Sequence, residues 1–116
     1  MVAKNRTPET ITRPNGRLAA IRELLERDSL CRGIVSYLIS HSEAADTARG
    51  IAEWWVNSAV SRTADALARL EAVGVVRAYP VHDSTSVYAY TQNRFLRQRL
   101  LHYFQETSGL AETPPR

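Results

Sequence analysis

The chain has a single cysteine, Cys31, so it can close no disulfide within itself and build no cysteine-rich zinc site. No stretch approaches the ~20 consecutive apolar residues that cross a bilayer. The opening segment MVAKNRTPETITRPNGR carries basic groups with no apolar run behind them, so no secretory signal is expected. Catalytic punctuation is missing too: there is no phosphate-binding glycine loop, no nucleophile elbow and no paired-carboxylate motif. His41, His82 and His102 stand apart, without the close spacing of metal ligands. These absences point away from a membrane span, a disulfide scaffold, a metal sensor and an enzyme. No cofactor is expected, and the cytoplasm is the default location.

The 116 residues suffice for one compact domain with one core. The net charge of +3 is unevenly spread. Residues 1–17 hold Lys4, Arg6, Arg13 and Arg17 against Glu9, residues 18–93 hold seven arginines against nine acids, and residues 94–116 hold four arginines against two acids. Positive charge therefore gathers at the two ends. Basic tails beside a near-neutral domain suit a polyanion such as nucleic acid, and they equally suit a solubilising arm.

Pro8, Pro14 and a scarcity of apolar residues predict an unstructured basic arm over 1–15 and a tail over 108–116, with the folded domain between them at 16–107. After Asn15-Gly16, the residues Leu18, Ile21, Leu24 and Leu25 recur at helical spacing. Ser29 can cap a second helix whose buried candidates are Ile34, Val35, Leu38 and Ile39. HSEAADT is a polar connector, and Asp46 or Thr47 can cap a short third helix placing Ile51, Trp54 and Trp55 on one face. VNS reads as a tight turn into SAVSRTADALARLEAVGVV, and Gly74 ends that helix in a left-handed conformation. VVRAYPV and SVYAYT, joined by HDST, read as a β-hairpin pairing Val81 with Ser86, Tyr79 with Tyr88 and Arg77 with Tyr90. Pro80 has no amide hydrogen, so it fits only an edge or a bulge. A last helix runs from about Asn93 to Thr107. The fold class expected is mainly α with a small β-hairpin.

On a helical wheel, Val60, Thr63, Ala64, Leu67 and Leu70 collect on one side, and Ser58, Arg62, Asp65 and Arg69 on the other. A core helix needs only the first stripe. A helix that enters a DNA groove needs both, because arginine can pair with guanine and serine can reach bases or phosphates. Asp65 stands within reach of Arg62 and Arg69, and a self-paired, solvated face is the simpler alternative.

VSRTADALARLEAVGVVRAYP, a polar turn and SVYAYT together resemble the second half of a winged helix-turn-helix domain of the kind found in the ArsR and MarR groups of regulators. The phrase LEAVGVV, Leu70 to Val76, carries most of the likeness, which covers about residues 30–91. The resemblance implies a winged helix-turn-helix with flanking N- and C-terminal helices, a recognition helix over about 58–73 and a wing over about 75–91. It implies sequence-specific binding of double-stranded DNA by a homodimeric transcriptional regulator associated with the nucleoid. Carried over by position, the DNA-facing residues are Arg49, Asn57, Ser58, Ser61, Arg62, Asp65 and Arg69, with Arg77, His82, Asp83, Ser84 and Thr85 on the wing. Lys4, Arg6, Arg13 and Arg17 would hold phosphates from the arm. The turn WWVNSAV lacks the usual glycine, and the wing tip lacks a lysine or arginine.

Leu18, Ile21, Leu25, Phe95, Leu100, Tyr103 and Phe104 on the flanking helices are natural dimer contacts, or else they close one chain's own core. Trp54 and Trp55 are expected to fill the core between the second helix and the recognition helix, with a pocket or partner surface as the other use. Cys31 reads as a small buried residue rather than a redox thiol. Two other functions stay open: a winged-helix protein-interaction module in a larger assembly, and a DNA-binding replication or partition factor of a mobile element. The sequence names no small-molecule effector.

Overall fold

The first helix begins upstream of the apolar spacing that announces it. The computed structural model describes residues 6–82 and 84–112, with side chains over 16–82 and 84–107. Helix α1 spans Arg6–Arg27. Its apolar face starts only at Leu18, so the earlier turns carry no periodic signal. Pro8 falls in the first turn, where amide hydrogens lack partners in any case. At the other end, α5 spans Arg94–Glu112, past the Thr107 boundary expected from the sequence.

Helix α2 spans Ser29–Ser40. Its cap is Asp28, not the expected Ser29: the Asp28 carboxylate accepts from the amides of Leu30 at 3.0 Å and Cys31 at 3.1 Å. Strand β1, Ala45–Asp46, lies inside the segment expected to be only a connector. Thr47 then caps α3, Ala48–Gly50, its hydroxyl accepting from the Gly50 amide at 3.1 Å. The helix continues as a π-turn over Ile51–Trp55, in which the Val56 amide donates to the Ile51 carbonyl at 3.2 Å. Such a turn winds more slowly than an α-helix. Ile51 and Ala52 are buried, but Trp54 rotates off the core face and is 78% exposed. Trp54 therefore does not fill the core.

Helix α4 spans Val60–Ala72, so Ser58 lies in the turn before it rather than within it. The buried stripe is Thr63, Ala66, Leu67 and Leu70; Val60, expected inside, is exposed. The helix ends in a paired reverse bond: the Val75 amide donates to the Leu70 carbonyl at 2.9 Å and the Gly74 amide to the Glu71 carbonyl at 3.0 Å. Gly74 has φ 84°, the left-handed geometry this ending requires. Val75 and Leu70, both fully buried, close the apolar contact beneath it.

Strands β2, Val76–His82, and β3, Thr85–Tyr90, form the hairpin. With β1 they make an antiparallel sheet in the order β1-β3-β2. The observed pairs include Arg77 with Ala89, Ala78 with Tyr88, and Tyr79 with Val87. This is one residue off the expected register, because a bulge between Pro80 and His82 absorbs Val81. Pairing counted from the turn holds at His82–Thr85 and slips beyond the bulge. Pro80 occupies both of the places open to it, an edge strand and a bulge.

The core joins α1, α2, the π-turn, α4, the hairpin and α5 through residues such as Leu25, Ile34, Ile51, Leu67, Val76 and Leu100. The element order and sheet form a winged-helix arrangement with flanking helices. No helix among the described residues is long and apolar enough to cross a membrane.

Candidate nucleic-acid interface

Helix α4 is two-faced. Behind it, Thr63, Ala66, Leu67 and Leu70 are sealed in the core. Thr63 is tolerated there because its hydroxyl donates to the Ala59 carbonyl at 2.9 Å. In front, Ser61, Arg62, Asp65, Ala68 and Arg69 are exposed.

The structure separates these front residues. Arg69 leans away toward the α1–α2 corner and donates to the Asp28 carboxylate at 3.0 Å. Partial burial pushes the Asp28 carboxyl up, but the amides of Cys31 and Leu30 and the Arg69 guanidinium outweigh it and hold the group below its ordinary value. Arg62 has no hydrogen-bond or ion-pair partner among the described residues, and neither has Asp65. The self-paired stripe is therefore not formed. Arg62 is the exposed cation near the start of α4 that remains available.

Asn57 supplies what the turn lacks in glycine. Its φ is 53°, a left-handed value that asparagine tolerates better than most side chains. The Ser58 amide then donates to the Ala52 carbonyl at 2.9 Å, which fixes the entry into α4. Arg49, near the start of α3, sits 3.6 Å from Glu53 in an exposed i,i+4 pair. Such a pair is weak enough to open toward a phosphate.

On the hairpin, Arg77 lies 5.8 Å over the Tyr79 ring. Tyr79 and Val81 are exposed on the same strand. His82, Ser84 and Thr85 are exposed at the tip. Asp83 lies outside the described residues, as do Lys4 and the side chains of Arg6 and Arg13. The Arg17 guanidinium packs over Gly74, where an added Cβ would come within 2.7 Å of it. That places Arg17 at the C-terminal end of α4, where a cation suits the helix dipole.

Among the proposed subunit contacts, Ile21, Leu25, Leu100 and Tyr103 are buried within this chain's own core. Leu18 and Phe104 are half-buried against it, and Phe95 is 65% exposed. Leu101 on α5 is exposed as well.

A ring ladder escaped the sequence reading. Trp55 stacks on Tyr37 with centroids 4.5 Å apart, and Tyr37 stacks on His41 at 4.2 Å. Tyr37 and His41 are four residues apart on one helix edge, a signal that was present, but the π-turn that brings Trp55 to them has no sequence signature. Cys31 is fully buried, and burial, reinforced by the Asp28 carboxylate, pushes its thiol up to about 12. No three metal-ligating side chains gather among the described residues. No protein-family model, curated protein or solved structure matches the chain.

Proposed function

We propose that the protein binds double-stranded DNA in a sequence-specific manner, with α4 in the major groove, and acts as a homodimeric transcriptional regulator in the cytoplasm, associated with the nucleoid. The observation that carries this reading is Arg62 on the open face of α4, without a partner among the described residues, in the first turn of the helix and beside the Ser61 hydroxyl. An arginine there can give two donors to guanine O6 and N7. The hairpin would lie along the flanking phosphates through Ser84 and Thr85, and Arg49 would reach the backbone. The helix face itself is electrically poor, since Asp65 offsets Arg62 and Asp28 neutralises Arg69. Non-specific attraction must then come from the basic N-terminal segment. The exposed Phe95 and Leu101 on α5 support contact with a second copy.

A second reading has its own observation. Trp54, Tyr79 and Val81 are exposed apolar side chains, and a protein-interaction module would use such a surface.

Selection of a preferred duplex from a random pool, followed by Arg62→Ala, tests the first reading. The substitution is expected to cost about tenfold or more in preference for the selected site. An unchanged preference rules out α4 as the reader.

A further inference from the structure

Asp28, the single residue between α1 and α2, divides its carboxylate between two tasks. Oδ1 accepts from the amides of Leu30 at 3.0 Å and Cys31 at 3.1 Å, and so caps α2. Oδ2 accepts from Arg69 Nη1 at 3.0 Å. The two ends of this pair differ in freedom. The Asp28 side chain is pinned by its capping bonds and is 23% exposed, whereas the Arg69 side chain is 52% exposed and has no other ion-pair partner among the described residues. Arg69 belongs by position to the open stripe of α4, two turns beyond Arg62 and roughly 10 Å further along the axis. Asp28 draws it off that stripe and cancels its charge at the α1–α2 corner.

We propose that Asp28 is an autoinhibitory latch, which holds the Arg69 guanidinium away from the DNA backbone and so keeps one phosphate contact of α4 in reserve until the pair opens. The inference rests on the proposed function, which places α4 in the major groove. Asp28 competes with a DNA phosphate for the same cation, so the latch weakens DNA binding and DNA weakens the latch by the same factor. A partly exposed ion pair is weak, so DNA can open it, and the latch lowers affinity by about threefold rather than abolishing binding. Opening leaves Oδ1 on its two amides, so α2 keeps its cap while Arg69 swings back to the stripe. A phosphate contact carries no sequence information, so release of Arg69 strengthens binding to every duplex alike and leaves the preference to Arg62.

The test is a double-mutant cycle on the full chain: wild type, Asp28→Asn, Arg69→Ala and the double variant, each titrated against a labelled random duplex at low salt. Asp28→Asn keeps an oxygen for the α2 amides and loses the charge that holds Arg69. It is expected to tighten binding about threefold in the wild-type background and to change it by less than about 1.5-fold in the Arg69→Ala background. Asp28→Ser, which also caps a helix, should reproduce the gain. Equal gains in both backgrounds would mean that only net charge matters, and would overturn the latch, as would no gain at all. A second readout needs no DNA. The Arg69 Nε–H signal, assigned by its loss in Arg69→Ala, should be as ordered as the backbone in wild type and mobile in Asp28→Asn by NMR relaxation. A mobile Arg69 in wild type would overturn the latch. If wild type binds DNA but the cycle shows no coupling, the latch falls and the functional reading stands. If none of the four proteins binds DNA, the functional reading falls and takes the latch with it.

Discussion

Replacing Asp28 with alanine removes two things at once. The carboxylate caps α2 through the amides of Leu30 and Cys31, and it holds Arg69 at 3.0 Å. An N-cap is worth about 1 kcal/mol. The ion pair contributes about 0.5 kcal/mol, because the Arg69 side chain is half open to solvent. Asp28→Ala should therefore cost about 1.5 kcal/mol, which lowers Tm by about 6 °C in a domain of this size. Asp28→Asn keeps an oxygen for the amides and loses only the charge, so it should cost about 0.5 kcal/mol, as should Arg69→Ala. The double variant Asp28→Asn/Arg69→Ala should cost little more than either single one.

The pH dependence has a definite sign. The folded carboxyl titrates below its ordinary value of 3.8. Its contribution is therefore present above that value and is lost as pH falls through the folded value. Thermal unfolding followed by circular dichroism, near neutral pH and again in acid, reads both effects. Equal losses for Asp28→Ala and Asp28→Asn would refute the capping assignment. A wild-type advantage over Asp28→Asn that grows in acid would refute the sign.

Cys31 should resist thiol reagents in the folded protein and react at once in denaturant, since its thiol is buried and held up to about 12; fast native labelling would contradict the core assignment. The buried Tyr90 hydroxyl has no hydrogen-bond partner among the described residues. Tyr90→Phe should thus raise stability by about 1 kcal/mol in denaturant titrations. Burial also pushes the Tyr90 phenol from 10.0 up to about 12, so wild type should lose stability between those values and Tyr90→Phe should lose less. Gly33 sits inside α2, and a Cβ there would meet Val56 Cγ1 at an ordinary 3.5 Å. Gly33→Ala should accordingly add about 0.5–1 kcal/mol by relieving glycine's entropy cost, visible as a higher Tm.

What was legible in the sequence were elements with strong periodic or terminal signals. The face of α2, the Thr63, Leu67 and Leu70 part of the α4 face, a cap at one of Asp46 and Thr47, the Gly74 ending and the hairpin with its bulge-prone Pro80 follow from local chemistry. The two-residue β1 is too short to show alternation, and its partners at Tyr88 and Ala89 are distant in sequence. Hairpin register slipped because one residue, Val81, is absorbed by the bulge beside Pro80; the proline allowed either an edge or a bulge and did not decide between them. The two tryptophans were read on an α-helical wheel, whereas the π-turn sends Trp54 outward and Trp55 onto Tyr37. The open stripe on α4 was visible as a pattern, but which of its arginines is free was not. That depended on Asp28, forty-one residues from Arg69, reaching across first.

In the proposed function the winged helix reads DNA through Arg62. Fluorescence anisotropy with the duplex preferred in selection and with a random duplex, at low and then physiological salt, tests it most directly on wild type, Arg62→Ala and Arg69→Ala. Binding that weakens with salt is expected for all three. Arg62→Ala should collapse the preference for the selected duplex, whereas Arg69→Ala, held back by Asp28, should leave it within about twofold. No binding even at low salt, or equal preference in wild type and Arg62→Ala, would contradict it.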